Sequence, residues 1–224
     1  MTLPKILLLI IISFISSKNV VIIGDSRVCG FAYSILGVPY TYHNSVYGTG
    51  SYIISKNAKG FGGHNIKVVA EVGASSYTFT NTGKAVHNGV HTILKGSSKG
   101  TVVLLWLGVN NLDSAHHFNY YNSLAQQYKG LQFYGVSVTG VSSKADVTNK
   151  DIKTFNTNLQ NKIKSNAISN LKYKSIVTDN VCQIYNSSNG KVTFTVTEST
   201  TDVYGVHYNN KGYRECILAM LAKI

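Results

Sequence analysis

Five short apolar runs, rich in β-branched residues, recur along this chain: Val20–Ile23, Ile66–Val72, Thr101–Leu107, Phe133–Val138 and Ser175–Thr178. The first three close on a glycine, at Gly24, Gly73 and Gly108. Their apolar positions are consecutive rather than alternate, so these strands need cover on both faces, as in a parallel sheet. Helical patterns lie between them, over Arg27–Ile35, Lys84–Leu94, Tyr120–Lys129, Asn149–Asn166 and Lys211–Ala222. In the fourth, Ile152, Phe155, Leu159 and Ile163 fall on one face at helical spacing. Asn209-Asn210 supply capping residues for the fifth. Such alternation predicts an α/β chain: a three-layer α/β/α sandwich on a central, mostly parallel five-stranded sheet of the flavodoxin-like kind.

The 224 residues suffice for one domain with a buried core. Met1–Lys5, the unbroken apolar run Ile6–Ile15 and the small pair Ser16-Ser17 read as a secretory signal peptide over residues 1–17. The run is too short to span a bilayer, and a better strand follows at once, against a buried first strand or an uncleaved anchor. The mature domain is then 18–224, secreted or held at the cell surface, with no stable membrane span once the signal is cleaved.

Ligand sites in such sheets gather at the carboxyl ends of the strands. The first strand runs into Gly24-Asp25-Ser26-Arg27, the second into Gly73-Ala74-Ser75 and the third into Gly108-Val109-Asn110-Asn111. The last helix is preceded by Asp202-Val203-Tyr204-Gly205-Val206-His207. Each feature has a plain structural reading: Asp25 or Ser26 as a helix cap, Gly73 as a turn glycine, Asn110 in an Asx-turn, His207 as a surface histidine. Together they supply a hydroxyl, a small-residue N–H, a side-chain amide and an imidazole, the set that a serine nucleophile needs.

These blocks resemble the SGNH, or GDSL-like, hydrolase family, matched at Gly24-Asp25-Ser26, Gly73, Gly108-Val109-Asn110 and His207. Gly-Asp-Ser-Arg, Glu71–Ser75, Ser137-Val138, Ile152-x-x-Phe155-Asn156 and Gly205–Tyr208 extend the likeness to a secreted subgroup, over nearly the whole mature chain. The resemblance implies an SGNH-hydrolase fold and a serine esterase acting on small-acyl, first of all acetyl, esters on carbohydrate. By it, Ser26 is the nucleophile and His207 the general base. The Ser26 and Gly73 N–H groups and the Asn110 amide would form the oxyanion hole, with no metal or organic cofactor. The family's acid three residues before the histidine is here Tyr204, and Asn111 replaces a second Asp. Asp202 would orient His207 if its loop bulges; otherwise a main-chain carbonyl would leave a Ser–His dyad. The alternative function is a catalytically impaired domain that binds carbohydrate or cell-surface glycans.

Arg27 and Tyr77 are the candidate substrate contacts, although Arg27 equally suits a salt bridge or a surface position at the helix start. A Tyr-rich insertion between Gly37 and Gly63, with Tyr40, Tyr42, Tyr47 and Tyr52, reads as a surface loop packed on the sheet or one wall of the cleft. With 21 Lys and Arg against 9 Asp and Glu, the chain carries a formal charge of +12. Its basic residues are scattered, with no run of five and no recognition motif, so no nucleic-acid partner is expected; an anionic wall or glycan suits the charge better. Three cysteines allow at most one bridge, expected as Cys182–Cys216, and Asn186-Ser187-Ser188 is a glycosylation sequon.

Overall fold

The computed structural model describes residues 17–45, 48–185 and 189–224. The expected leader, apart from Ser17, lies outside them, as do Tyr47 and the sequon at 186–188. The chain runs β1 (Asn19–Gly24), α1 (Ser26–Ser34), β2 (Thr41–Ser45), β3 (Gly48–Ile54), β4 (Lys59–Phe61) and β5 (His64–Glu71). It continues with α2 (Ser76–Thr80), α3 (Ala85–Lys95), β6 (Val102–Trp106), α4 (Ser114–Gln127), β7 (Gln132–Val136) and α5 (Asn149–Ser165). The last elements are β8 (Leu171–Lys174), β9 (Gln183–Tyr185), β10 (Val192–Thr195) and α6 (Asn210–Leu221).

The main sheet is ordered β2-β3-β5-β1-β6-β7-β8, with β4 also paired to β5. Its centre, β5-β1-β6-β7-β8, is entirely parallel. Counting only those five, the order is 2-1-3-4-5, the flavodoxin-like arrangement. The order reverses between β1 and β6, the switch point beside which open α/β sheets generally bind their ligands. Val20–Ile23 and Val102–Trp106 are fully buried, as strands covered on both faces must be. Helix α1 packs on α6, while α3, α2, α4 and α5 make a continuous row. These two sets are the outer layers of a three-layer α/β/α sandwich.

Local chemistry sets most element ends. Asp25 caps α1 by accepting from the Arg27 N–H at 3.0 Å, and Asn209 caps α6 through the Gly212 N–H at 3.0 Å. Gly24 must lack a side chain, since a Cβ there would lie 2.1 Å from Val28 Cγ2 and 2.7 Å from the Trp106 carbonyl. All four residues of the predicted apolar stripe on α5 are buried.

Several expectations are corrected. The fifth parallel strand is Leu171–Lys174 instead of Ser175–Thr178: it is an edge strand paired only with β7, so Lys172 and Lys174 are tolerated on it. Helix α4 begins at Ser114, six residues before the periodic region, because the Asp113 carboxylate accepts from the N–H groups of Ala115 and His116 at 3.0 Å each. Within the 37–63 insertion, β2, β3 and β4 extend the sheet in antiparallel fashion instead of forming a surface loop, with β3 and β4 paired to β5. The three cysteines are unpaired; Cys216 is buried on α6 and the Cys182 thiol faces the Val141 carbonyl at 3.7 Å, so no Cys182–Cys216 bridge forms.

Candidate active site

Ser26 is the first residue of α1, directly beyond β1. An N–H in the first turn of a helix has no intrahelical acceptor, and that of Ser26 has no protein partner among the described residues. His207 enters from the loop before α6, its Nε2 2.8 Å from Ser26 Oγ. On the far side of the ring, Nδ1 lies 2.6 Å from Asp202 Oδ2. A carboxylate can only accept, so Nδ1 carries the proton and Nε2 is left to accept the Ser26 hydroxyl proton.

Asp202 is therefore the carboxylate that meets His207, brought there by the bulge that the sequence left open. The Asp202 carbonyl accepts from the Gly205 N–H at 3.0 Å, and the His207 carbonyl accepts from the Asp202 N–H at 2.9 Å. This closed loop turns Asp202 back onto His207, while Tyr204 at its tip is 70% exposed. Asp202 Oδ1 also accepts from the N–H groups of Val206 and His207, at 3.2 and 3.3 Å. Burial pushes the Asp202 carboxyl up, but the bonds from the His207 ring and from these two N–H groups outweigh it and hold it below its usual range. Asp25, behind Ser26, goes the other way: its burial outweighs the nearby Arg27 charge and raises its pKa.

The candidate oxyanion donors lie on the neighbouring loops. Gly73, after β5, is exposed, with an N–H that has no protein partner among the described residues. Asn110, after β6, is also exposed. It spends one amide hydrogen on the Ala74 carbonyl at 2.9 Å, tying the two loops together and keeping its second hydrogen available. Ser26, Gly73 and Asn110 thus follow β1, β5 and β6, three adjacent strands at the point where the sheet order reverses.

The two candidate substrate contacts fare differently. Arg27 is corrected: it is 1% exposed and points into the protein. Its guanidinium donates to the carbonyls of Val206, Thr139 and Gly140 and to Thr139 Oγ1, at 2.9 to 3.2 Å. It is neither a salt bridge nor a surface residue, and no substrate can reach it. Tyr77 is 48% exposed, on α2 just past Gly73. It donates to Asp113 Oδ2 at 2.8 Å, and its ring stacks on His116 with centroids 3.5 Å apart. Thr139 and Gly140 had no sequence signal as partners of Arg27, because both accept through main-chain carbonyls that any residue possesses.

An open cleft of about 590 Å³ adjoins Asn110, lined also by Asn111, Leu112, Lys144, Tyr204 and Val206. Among the described residues no group of three or more His, Cys, Asp or Glu side chains could hold a metal ion. No helix among them is long and apolar enough to cross a membrane.

No protein-family profile matches the chain, and no curated protein does. Among solved structures, the fold is similar to that of a Streptococcus pneumonia protein provisionally described as a platelet activating factor. The two share 14% identity over 93% of this chain and 85% of that one, with a TM-score of 0.57. The salicylyl-acyltransferase SsfX3 from a tetracycline biosynthetic pathway matches at 10% identity over 92% of this chain and 54% of its own, with a TM-score of 0.46. The first likeness shows the fold alone, and the second is too weak to carry an argument.

Proposed function

We propose that this chain is a secreted serine esterase of the SGNH type, acting on small-acyl, first of all acetyl, esters carried by carbohydrate. The observation that supports it is the unbroken relay of Asp202 Oδ2, His207 Nδ1, His207 Nε2 and Ser26 Oγ, with contacts of 2.6 and 2.8 Å. Ser26 Oγ attacks the ester carbonyl as His207 Nε2 takes its proton; the oxyanion forms against the Ser26 and Gly73 N–H groups and the free Asn110 hydrogen. The imidazolium, stabilised by Asp202, then gives the proton to the departing alcohol, leaving an acyl-Ser26 ester. Water, deprotonated by the same Nε2, attacks that ester and releases the carboxylic acid with free Ser26.

The cleft beside Asn110 is the proposed seat of the alcohol portion, and half-exposed Tyr77 the proposed contact on the Gly73 side. Among the described residues, Lys84–Glu71 is the one ion pair that a Lys or Arg makes. The exposed lysines outside that pair are available to an anionic wall or glycan, which fits the proposed export. The non-catalytic reading rested on Tyr204 at the expected acid position; the Asp202–His207 contact favours turnover instead.

The test is hydrolysis of p-nitrophenyl acetate by the wild type and by Ser26→Ala and His207→Ala. Both variants are expected to lose nearly all activity. Equal rates for wild type and Ser26→Ala would refute the proposal, and a panel of acetylated sugars then reads the substrate.

A further inference from the structure

Arg27 is a buried cation without an ion-pair partner. No carboxylate among the described residues lies within salt-bridge distance of its guanidinium, and it is 1% exposed. Burying an unpaired guanidinium is costly unless every donor is satisfied. Its partners share a geometry: all belong either to the His207 loop or to the segment just beyond β7.

The proton assignment along this network is unique. Arg27 Nε donates to the Val206 carbonyl at 3.1 Å, fixing the peptide that immediately precedes His207. Arg27 Nη1 donates to the Thr139 carbonyl at 2.9 Å and to Thr139 Oγ1 at 3.1 Å, and Nη2 to the Gly140 carbonyl at 3.2 Å. Tyr208, immediately after His207, also donates its one hydroxyl proton to the Gly140 carbonyl, at 2.6 Å. In the 2.5 Å contact between Thr139 and Tyr208, Thr139 must therefore be the donor. The guanidinium in turn lies over the Tyr208 ring, 4.9 Å from its centroid. Both neighbours of His207 are thus fastened to residues 139–140, and the residue next to Ser26 is the fastener.

We propose that Arg27, with Tyr208, is a positioning residue that sets the imidazole of His207 in register with Ser26. Arg27 and Ser26 share the first turn of α1, so a bond from Arg27 to the Val206 carbonyl links the nucleophile to the base through a rigid element. The His207 loop has an exposed tip at Val203 and Tyr204, and it needs such an anchor to hold a 2.8 Å contact to Oγ. This inference rests on the esterase reading for its consequence, not for its geometry.

The experiment compares the wild type with Arg27→Lys and Tyr208→Phe. Lysine keeps the charge but cannot spread donors over three carbonyls; phenylalanine keeps the ring and removes only the hydroxyl. Three properties are measured: thermal unfolding, the far-downfield proton resonance of His207 Nδ1–H, and kcat and KM for p-nitrophenyl acetate. Arg27→Lys is expected to lose the resonance to solvent exchange and to lower kcat about 100-fold with KM nearly unchanged, the cost of a reacting group displaced by about 1 Å. Tyr208→Phe is expected to weaken the resonance and lower kcat roughly tenfold, as for one lost hydrogen bond. A merely stabilising role would lower the melting temperature and leave both the resonance and kcat per folded molecule intact, and that result overturns the proposal. Should Arg27→Lys fail to fold, Tyr208→Phe decides by the same criteria. A wild type without esterase activity would sink the proposed function, while the resonance would still decide the positioning role.

Discussion

Asp202 and His207 stand five positions apart, and the Asp202 carboxylate still meets His207 Nδ1 at 2.6 Å. The contact works because the loop between them closes on itself at both ends, through the Gly205 N–H to the Asp202 carbonyl and the Asp202 N–H to the His207 carbonyl. An antiparallel bridge between Thr201 and Tyr208 flanks the loop and holds its two arms side by side. The Asp202 carboxylate and the His207 ring thus face each other across a hairpin.

Replacing Asp202 by Asn keeps the shape and removes the charge. The new amide can present its N–H₂ to Nδ1 and so favour the wrong tautomer, in which Nε2 carries the proton and cannot accept that of Ser26. Loss of kcat by up to about 10⁴-fold is expected, with the fold retained. Tyr204→Phe, at the exposed tip, is expected to leave kcat within about twofold, since its hydroxyl makes no described contact with the relay. Hydrolysis of p-nitrophenyl acetate by the two variants checks both outcomes.

Gly205 permits that hairpin. Its φ of +70° is a left-handed conformation, and a Cβ there would lie 2.4 Å from Ser142 Oγ and 3.0 Å from the backbone nitrogen of Ala145. Gly205→Ala is expected to cost about 1–3 kcal/mol from strained backbone alone, read as a lower melting temperature. The activity loss should exceed the stability loss, because relief of the clash moves the loop that carries both Asp202 and His207. Thermal unfolding and kcat measured on the same preparation test the pair of effects.

Asn110 performs two tasks with one amide. The hydrogen bonded to the Ala74 carbonyl holds the β5 and β6 loops together, and the second is left for a ligand in the cleft that Asn110 lines. Asn110→Ala is expected to reduce kcat by about 10²–10³, the cost of one oxyanion donor. Asn110→Asp, which replaces the donor by an acceptor, should be at least as damaging. Retention of full kcat by Asn110→Ala would remove this residue from the oxyanion hole.

The parallel sheet was legible because its central strands are buried on both faces and read as unbroken apolar runs, as in Thr101–Leu107. The edge strand Leu171–Lys174 was not: one open edge lets lysines in, and the adjacent apolar Ser175–Thr178 drew the assignment past its end. Ser26, Gly73, Asn110 and His207 were legible as candidates because each follows a strand or precedes a helix at a recognisable small or polar residue. Asp202 could be weighed but not chosen, since its distance from His207 depends on a turn whose shape follows from Gly205 and the Ser142 N–H bonded to the Gly205 carbonyl at 2.9 Å. Arg27 misled for a related reason. A cation beside a nucleophile suggests a substrate anchor, and only the path of a loop 179 residues away in sequence turns it inward.

The dependence of stability on pH separates two groups near the site. His117 on α4 is fully buried between the rings of Phe155 and Tyr121, and its Nε2 has no partner among the described residues. Burial lowers its pKa to about 4. The folded protein therefore keeps His117 neutral where the unfolded chain, with a histidine pKa near about 6.5, takes up a proton. Stability from this group is complete above about pH 6.5 and falls by about 3 kcal/mol as the pH drops towards 4. Asp202 acts in a lower window. Its folded pKa is depressed, so its contribution is complete above the unfolded carboxylate value of about 3.9 and is lost as the pH falls through the folded one. Melting curves between pH 7 and pH 3 should show both declines. His117→Phe is expected to flatten the upper one and leave the lower, and Asp202→Asn the reverse. An unchanged slope between pH 6.5 and pH 4 in His117→Phe would assign that decline to another group.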